Sequence, residues 1–98
     1  MRHAAKVDNN HAEIRDALRK IPGMAVLDTS AMSGLGCDLL CSWQAGPPVM
    51  LEVKSSRRAA LTDSEKKLAG MFPGHWHRVD SVADAVAVFG LSMERPPF

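Results

Sequence analysis

The sequence predicts an α/β domain: a helix–sheet–helix sandwich with the element order α-β-β-β-α-β-α. Three observations predict it. At 98 residues and 46% hydrophobic content, the chain is long enough for one core and too apolar to stay disordered. Short apolar runs between residues 24 and 55 are separated by Gly-, Ser- and Pro-rich stretches, as strands and their loops are. Segments with helical spacing precede and follow them, which is how both faces of a sheet become covered.

Asn9-Asn10 can cap a first helix running to about Lys20, with Ile14, Ala17, Leu18 and Ile21 on its apolar face. Pro22-Gly23 ends it. Met24 to Leu27 reads as a short strand, and Asp28 to Gly36 as a small, Gly/Ser-rich loop. Asp38 to Trp43 is a second strand, and Gln44 to Pro48 a turn. Val49 to Ser55 is a third strand, almost continuously apolar apart from two charges, the pattern of a central strand. Thr62 and Glu65 have capping-box spacing at the start of a second helix, which ends between Gly70 and Gly74. His75 to Val79 is a fourth strand. Ser81 caps a last helix through about Phe89, with Val82, Ala85, Val86 and Phe89 inward. Residues 1–90 thus read as one domain, and 91–98 as a loose tail.

The net charge is only +1, so no global basic field advertises a nucleic-acid partner. Lys54, Arg57, Arg58, Lys66 and Lys67 nevertheless cluster in the second half. No run is long and apolar enough to span a bilayer, and Met1 to Asn10 is too polar for a signal peptide. Cys37 and Cys41 are four apart, awkward for a disulfide, and are expected as reduced thiols in a cytoplasmic protein.

The chemistry concentrates in Asp38 and in Glu52-Val53-Lys54. On a strand, Glu52 and Lys54 project from one face, and Val49, Leu51 and Val53 from the other. Burying a carboxylate and an ammonium side by side is unfavourable unless they bind something. Two carboxylates from adjacent strands can hold a hard divalent cation, with a lysine beside it. The competing reading is a structural salt bridge to Lys54. Glu13 lies about 90° from the centre of its helix's apolar face. It is either near that cluster or a solvated partner for Arg15 or Lys20. His75 and His77 share a strand face but have no third ligand in reach, and read as surface histidines. Glu65 reads by default as a surface helix charge.

Four pieces together resemble the PD-(D/E)XK nuclease superfamily, in its small stand-alone VRR-Nuc or Holliday-junction-resolvase-like form often seen in phages. They are Glu13 on the first helix, Gly34-x-Gly36-Cys37-Asp38, Glu52-Val53-Lys54, and Leu61-Thr62-x-x-Glu65. Cys37 stands where proline is common, and Glu65 where the family has Gln, a place from which it would help position the metal shell if it is not the default surface charge. The resemblance implies a restriction-endonuclease-like sandwich, its central mixed sheet flanked by helices. It also implies a Mg²⁺-dependent DNA endonuclease, with Mn²⁺ substituting, that is structure-selective for junction or flap DNA. Asp38, Glu52, the carbonyl of Val53 and Glu13 would hold the ion. Lys54 would orient or deprotonate water and stabilise developing charge. Ser55, Arg57 and Arg58, directly after the catalytic strand, would follow the phosphate backbone. The relatives suggest a homodimer working in the cytoplasm of a bacterial or phage-infected cell. A catalytically silent DNA-binding or interaction module on the same fold is the alternative.

Overall fold

The computed structural model describes residues 9–56 and 58–91; the expected tail beyond Leu91 lies outside them, as does Arg57. The elements follow the expected order: α1 (His11–Arg19), β1 (Met24–Asp28), β2 (Leu39–Trp43), β3 (Val49–Val53), α2 (Asp63–Met71), β4 (Trp76–Val79) and α3 (Val82–Ala87). The strands form one mixed sheet in the order β1-β2-β3-β4. The β1–β2 and β2–β3 pairs are antiparallel, and β3–β4 is parallel. The carboxyl ends of β1, β3 and β4 therefore share one edge of the sheet with the start of β2.

Strand periodicity divides the residues between two layers. Leu39, Cys41, Leu51, Val53 and Val79 join Ile14 and Leu18 of α1 and Ala85 and Val86 of α3 in one buried cluster. The opposite face carries Met50 and Glu52 of β3, paired with Trp76 and Arg78 of β4. α2 packs against β4. Its N-terminus is fixed by the expected capping box: Glu65 N–H donates to the Thr62 hydroxyl at 3.2 Å, and Thr62 N–H to Glu65 Oε1 at 2.9 Å. The Ser81 hydroxyl likewise accepts from Asp84 N–H at 3.0 Å to start α3.

The β2–β3 connection turns on Gln44 and Ala45, both at positive φ (54° and 59°). Gly46 N–H closes the turn on the Trp43 carbonyl at 2.9 Å. This is the mirror-image geometry that suits the twist of a hairpin, here built without glycine at its two central positions. Cys37 and Cys41 are free, as expected, and both are buried; burial pushes the Cys41 thiol up to about 12. Among the described residues, no helix is long and apolar enough to cross a membrane.

Two local expectations are corrected. Asn10 stands at the N-cap of α1, but its side chain makes no capping bond. It is drawn instead to the carbonyls of Lys54 and Asp80. Glu65 is not a surface charge but 8% exposed, because the capping box turns its carboxylate toward the sheet.

Candidate functional site

A cleft of about 360 Å³ opens at the carboxyl edge of the sheet. Ser30, Met32, Ser33, Gly34, Gly36 and Cys37 form one wall, Thr62, Ser64 and Glu65 of the α2 start form the other, and Asp38, Glu52 and Lys54 lie between them. The walls are built by backbone and buried polar groups. Thr29 staples the loop base: its N–H donates to the Asp38 carbonyl at 2.8 Å and its hydroxyl to the Cys37 carbonyl at 2.9 Å. Trp76 Nε1 donates to the Gly36 carbonyl at 2.8 Å, pinning the loop over the sheet. Gly36 has φ +100°, and a Cβ there would lie 2.6 Å from the Ser64 carbonyl oxygen. The loop can approach α2 this closely only because the residue is glycine.

Asp38 precedes β2, and its Oδ2 accepts the Val53 N–H at 2.8 Å. That bond ties the carboxylate to the strand carrying Glu52 and Lys54. Glu52 is 5% exposed. Its carboxyl is pushed up to about 9, first by burial, then by the charge of Asp38 and the adjacent Glu65. Burial and the neighbouring carboxylates thus favour the protonated form of Glu52. Burial also opposes the charge on Glu65, but the Thr62 N–H and the Lys54 ammonium outweigh it, and its carboxyl lies below the usual range. Lys54 Nζ is 2.9 Å from Glu65 Oε1 and 3.6 Å from Glu52 Oε2. The ammonium thus belongs more to Glu65 than to its strand neighbour.

The structure brings Asp38, Glu52 and Lys54 together, as expected from the sequence. It adds Glu65, whose Thr-x-x-Glu spacing signalled the cap but not the second partner. It does not bring Glu13. That side chain is exposed and lines a separate groove with Asp16, Lys20 and Val82, between α1 and α3. Ile14 and Leu18 take the inward face of α1, which turns Glu13 away from the sheet. Ser55 and Arg58 are exposed on the segment leaving β3. His75 is exposed, and the His77 ring lies 3.1 Å from the Gly74 carbonyl.

A second polar cluster went unnoticed in the sequence. Asp28, at the end of β1, accepts from Arg15 Nη1 at 3.1 Å, from the Ser30 hydroxyl at 2.6 Å and from Ser30 N–H at 3.0 Å. The Nε2 of buried His11 lies 3.1 Å from the same carboxylate. Although burial opposes its charge, these partners hold the Asp28 carboxyl well below the usual range. Ser30 in turn lines the cleft.

Among the described residues, no three His, Cys, Asp or Glu side chains stand in ligand geometry around a common point. Asp38, Glu52 and Glu65 nevertheless line one cleft with Lys54, and carboxylate oxygens are the donor type that hard cations take. Comparison with family models, with curated proteins and with solved structures finds no match for this chain.

Proposed function

We propose that the chain is a small metal-dependent DNA endonuclease of the PD-(D/E)XK type, hydrolysing phosphodiester bonds and selective for junction or flap structures. The observation that carries this reading is the convergence of Asp38, Glu52, Glu65 and Lys54 in one cleft at the carboxyl edge of the sheet. An unneeded group of three carboxylates and one ammonium there would be a poor way to build a core. The strand order and the layering of helices agree with a restriction-endonuclease-like sandwich.

Asp38 and Glu52 are the carboxylates suited to hold Mg²⁺ or Mn²⁺, with Glu65 beside them in place of the expected Glu13. Such an ion supplies charge relief on the phosphate and activation of the attacking water. The protein's own groups supply the rest. The Val53 N–H orients Asp38. Glu65 holds the Lys54 ammonium at the cleft, where it can steady a water or the charge developing on the phosphoryl oxygens. The exposed Ser55 and Arg58 follow Lys54 on the segment leaving β3, where they could meet a phosphate backbone.

A panel of labelled junction, flap, duplex and single-stranded DNAs, incubated with Mg²⁺ or Mn²⁺ and with EDTA, tests the proposal. Asp38→Asn keeps an oxygen for the Val53 N–H while removing the charge, so it should fold and fail to cut. Wild-type cleavage in EDTA, or full activity of this variant, would refute the metal mechanism. The ion pair of Lys54 with Glu65 also suits a silent DNA-binding module on the same fold, which would bind the panel and cut none of it. As a nuclease, the chain is proposed to act as a homodimer, since two copies present two cleavage sites to two strands. A monomeric mass by light scattering, unchanged with DNA, would contradict that.

A further inference from the structure

We propose that Asn10 is a positioning residue of this cleft: it fixes the backbone of Lys54, and through it the reach of the ammonium. The inference rests on the nuclease reading of the cleft. The Asn10 Nδ2 group donates one hydrogen to the Lys54 carbonyl at 3.1 Å and the other to the Asp80 carbonyl at 2.8 Å. Those partners are 44 and 70 residues away in sequence. An asparagine at a helix start usually accepts a backbone N–H of the first turn. Here that service is absent, and the side chain spans the ends of two parallel strands instead.

The chemistry of the group fits the task closely. Two carbonyls converge on one nitrogen, and a primary amide is the neutral side chain with two hydrogens on one atom. Rotating the amide would face its oxygen to both carbonyls, so the bonds also settle its orientation. Its oxygen is buried without a protein partner, a disadvantage that the two donor bonds outweigh.

Location makes the bond consequential. Lys54 N–H to the Val79 carbonyl, at 3.0 Å, is the bond that holds β3 to β4 at this edge. Immediately afterwards the chain leaves the sheet into exposed Ser55 and Ser56. Without Asn10, the peptide after Lys54 loses this tether, and the lysine's approach to Glu65 and Glu52 shifts with it. His11, the next residue of α1, ties Asp28 and hence Ser30 on the opposite wall. The first turn of α1 therefore reaches three strand ends at the edge where the cleft opens. Glu13 of α1 faces a separate groove, so the positioning role at this end of the helix falls to Asn10.

Asn10→Asp is nearly isosteric and replaces both donors with acceptors. It should lower kcat at least tenfold on the best DNA substrate, with KM and the Mg²⁺ concentration for half activity unchanged. Hydrogen exchange at the Ser55 amide should quicken at least tenfold. Ser42→Ala, which removes the 2.7 Å hydroxyl bond to the Gly46 carbonyl at the opposite end of the sheet, is the matched control for destabilisation and should leave kcat within twofold of wild type. If Asn10→Asp does not fold, Asn10→Ser keeps one donor and should give a kcat between those of wild type and Asn10→Ala. A wild-type kcat in Asn10→Asp or Asn10→Ala, or the same loss in Ser42→Ala, overturns the proposal. If wild type cuts no DNA, the nuclease reading fails, and the exchange rate alone judges the clamp: unchanged exchange at Ser55 overturns it.

Discussion

Glu52→Gln should make the metal-free protein more stable at neutral pH, although it removes a residue from the centre of the cleft. Glu52 is 5% exposed and its carboxyl is pushed up to about 9 by burial, Asp38 and Glu65. The sign follows from linkage. A carboxyl whose folded value is raised stabilises fully below its unfolded value near 4.5, and loses that contribution as pH rises towards 9. Each unit is worth about 1.4 kcal/mol, so at pH 7.5, roughly three units above the unfolded value, the wild type forfeits up to about 4 kcal/mol. Glutamine has the shape and a donor of the protonated acid but does not titrate. The variant should therefore match wild type near pH 4.5 and exceed it by about 2–4 kcal/mol at pH 7.5. For a domain of this size, that is a rise in Tm on the order of 10 °C or more. Urea titrations in EDTA at both pH values, with equal m values, measure it. A difference independent of pH, or a less stable variant at pH 7.5, would show that Glu52 is not the strained member of the cluster. Adding Mg²⁺ then separates the roles: it should raise the Tm of wild type at pH 7.5 and leave the variant unmoved.

Lys54→Met should destabilise by about 2–4 kcal/mol at pH 7.5 by stranding Glu65. Adding Glu65→Gln should recover most of the loss, and additive losses in denaturant melts would refute the coupling. Asp28→Asn should cost about 1–3 kcal/mol at neutral pH. Because the Asp28 carboxyl is held low in the fold, its contribution is present above about pH 4 and disappears as pH falls. The variant's deficit should therefore shrink in acid, and a deficit constant down to pH 2 would contradict this. Ala45→Gly should stabilise by about 0.5–1 kcal/mol, because alanine is disfavoured at φ 59°. An unchanged or lower Tm would mean that the turn is not held in that geometry.

The order of elements and the Asp38, Glu52, Lys54 set were legible because both are written in local pattern. Apolar runs, turn residues and the Thr62–Glu65 and Ser81 caps mark the boundaries. A Glu-x-Lys triplet inside an apolar strand stands out because it breaks the pattern. What was hidden depends on distant partners. Asn10 looks like a cap until β3 and β4 end beside it. Glu65 satisfies a local rule with one oxygen, and its ion pair involves a residue on another element. The Asp28 cluster joins α1 to the end of β1 through residues that are each ordinary in their own segment. Glu13 stays open in the sequence because it lies at the border of an amphipathic face. The burial of Ile14 and Leu18 decided which way the border turned.

The alternation along β3 has a consequence for how the chain finds its fold. Leu51 and Val53 enter the core while Glu52 and Lys54 enter the cleft. A slip of one residue against β2 and β4 would reverse all four. It would press a carboxyl and an ammonium among Ile14, Leu18 and Val86, with no Glu65 or Asp38 to meet them. Mispaired sheets are therefore penalised most heavily at the residues proposed for chemistry. The same two charges that make β3 an awkward strand leave it a single admissible register, so removing both should yield a chain that is easier to bury and less certain of where to pair.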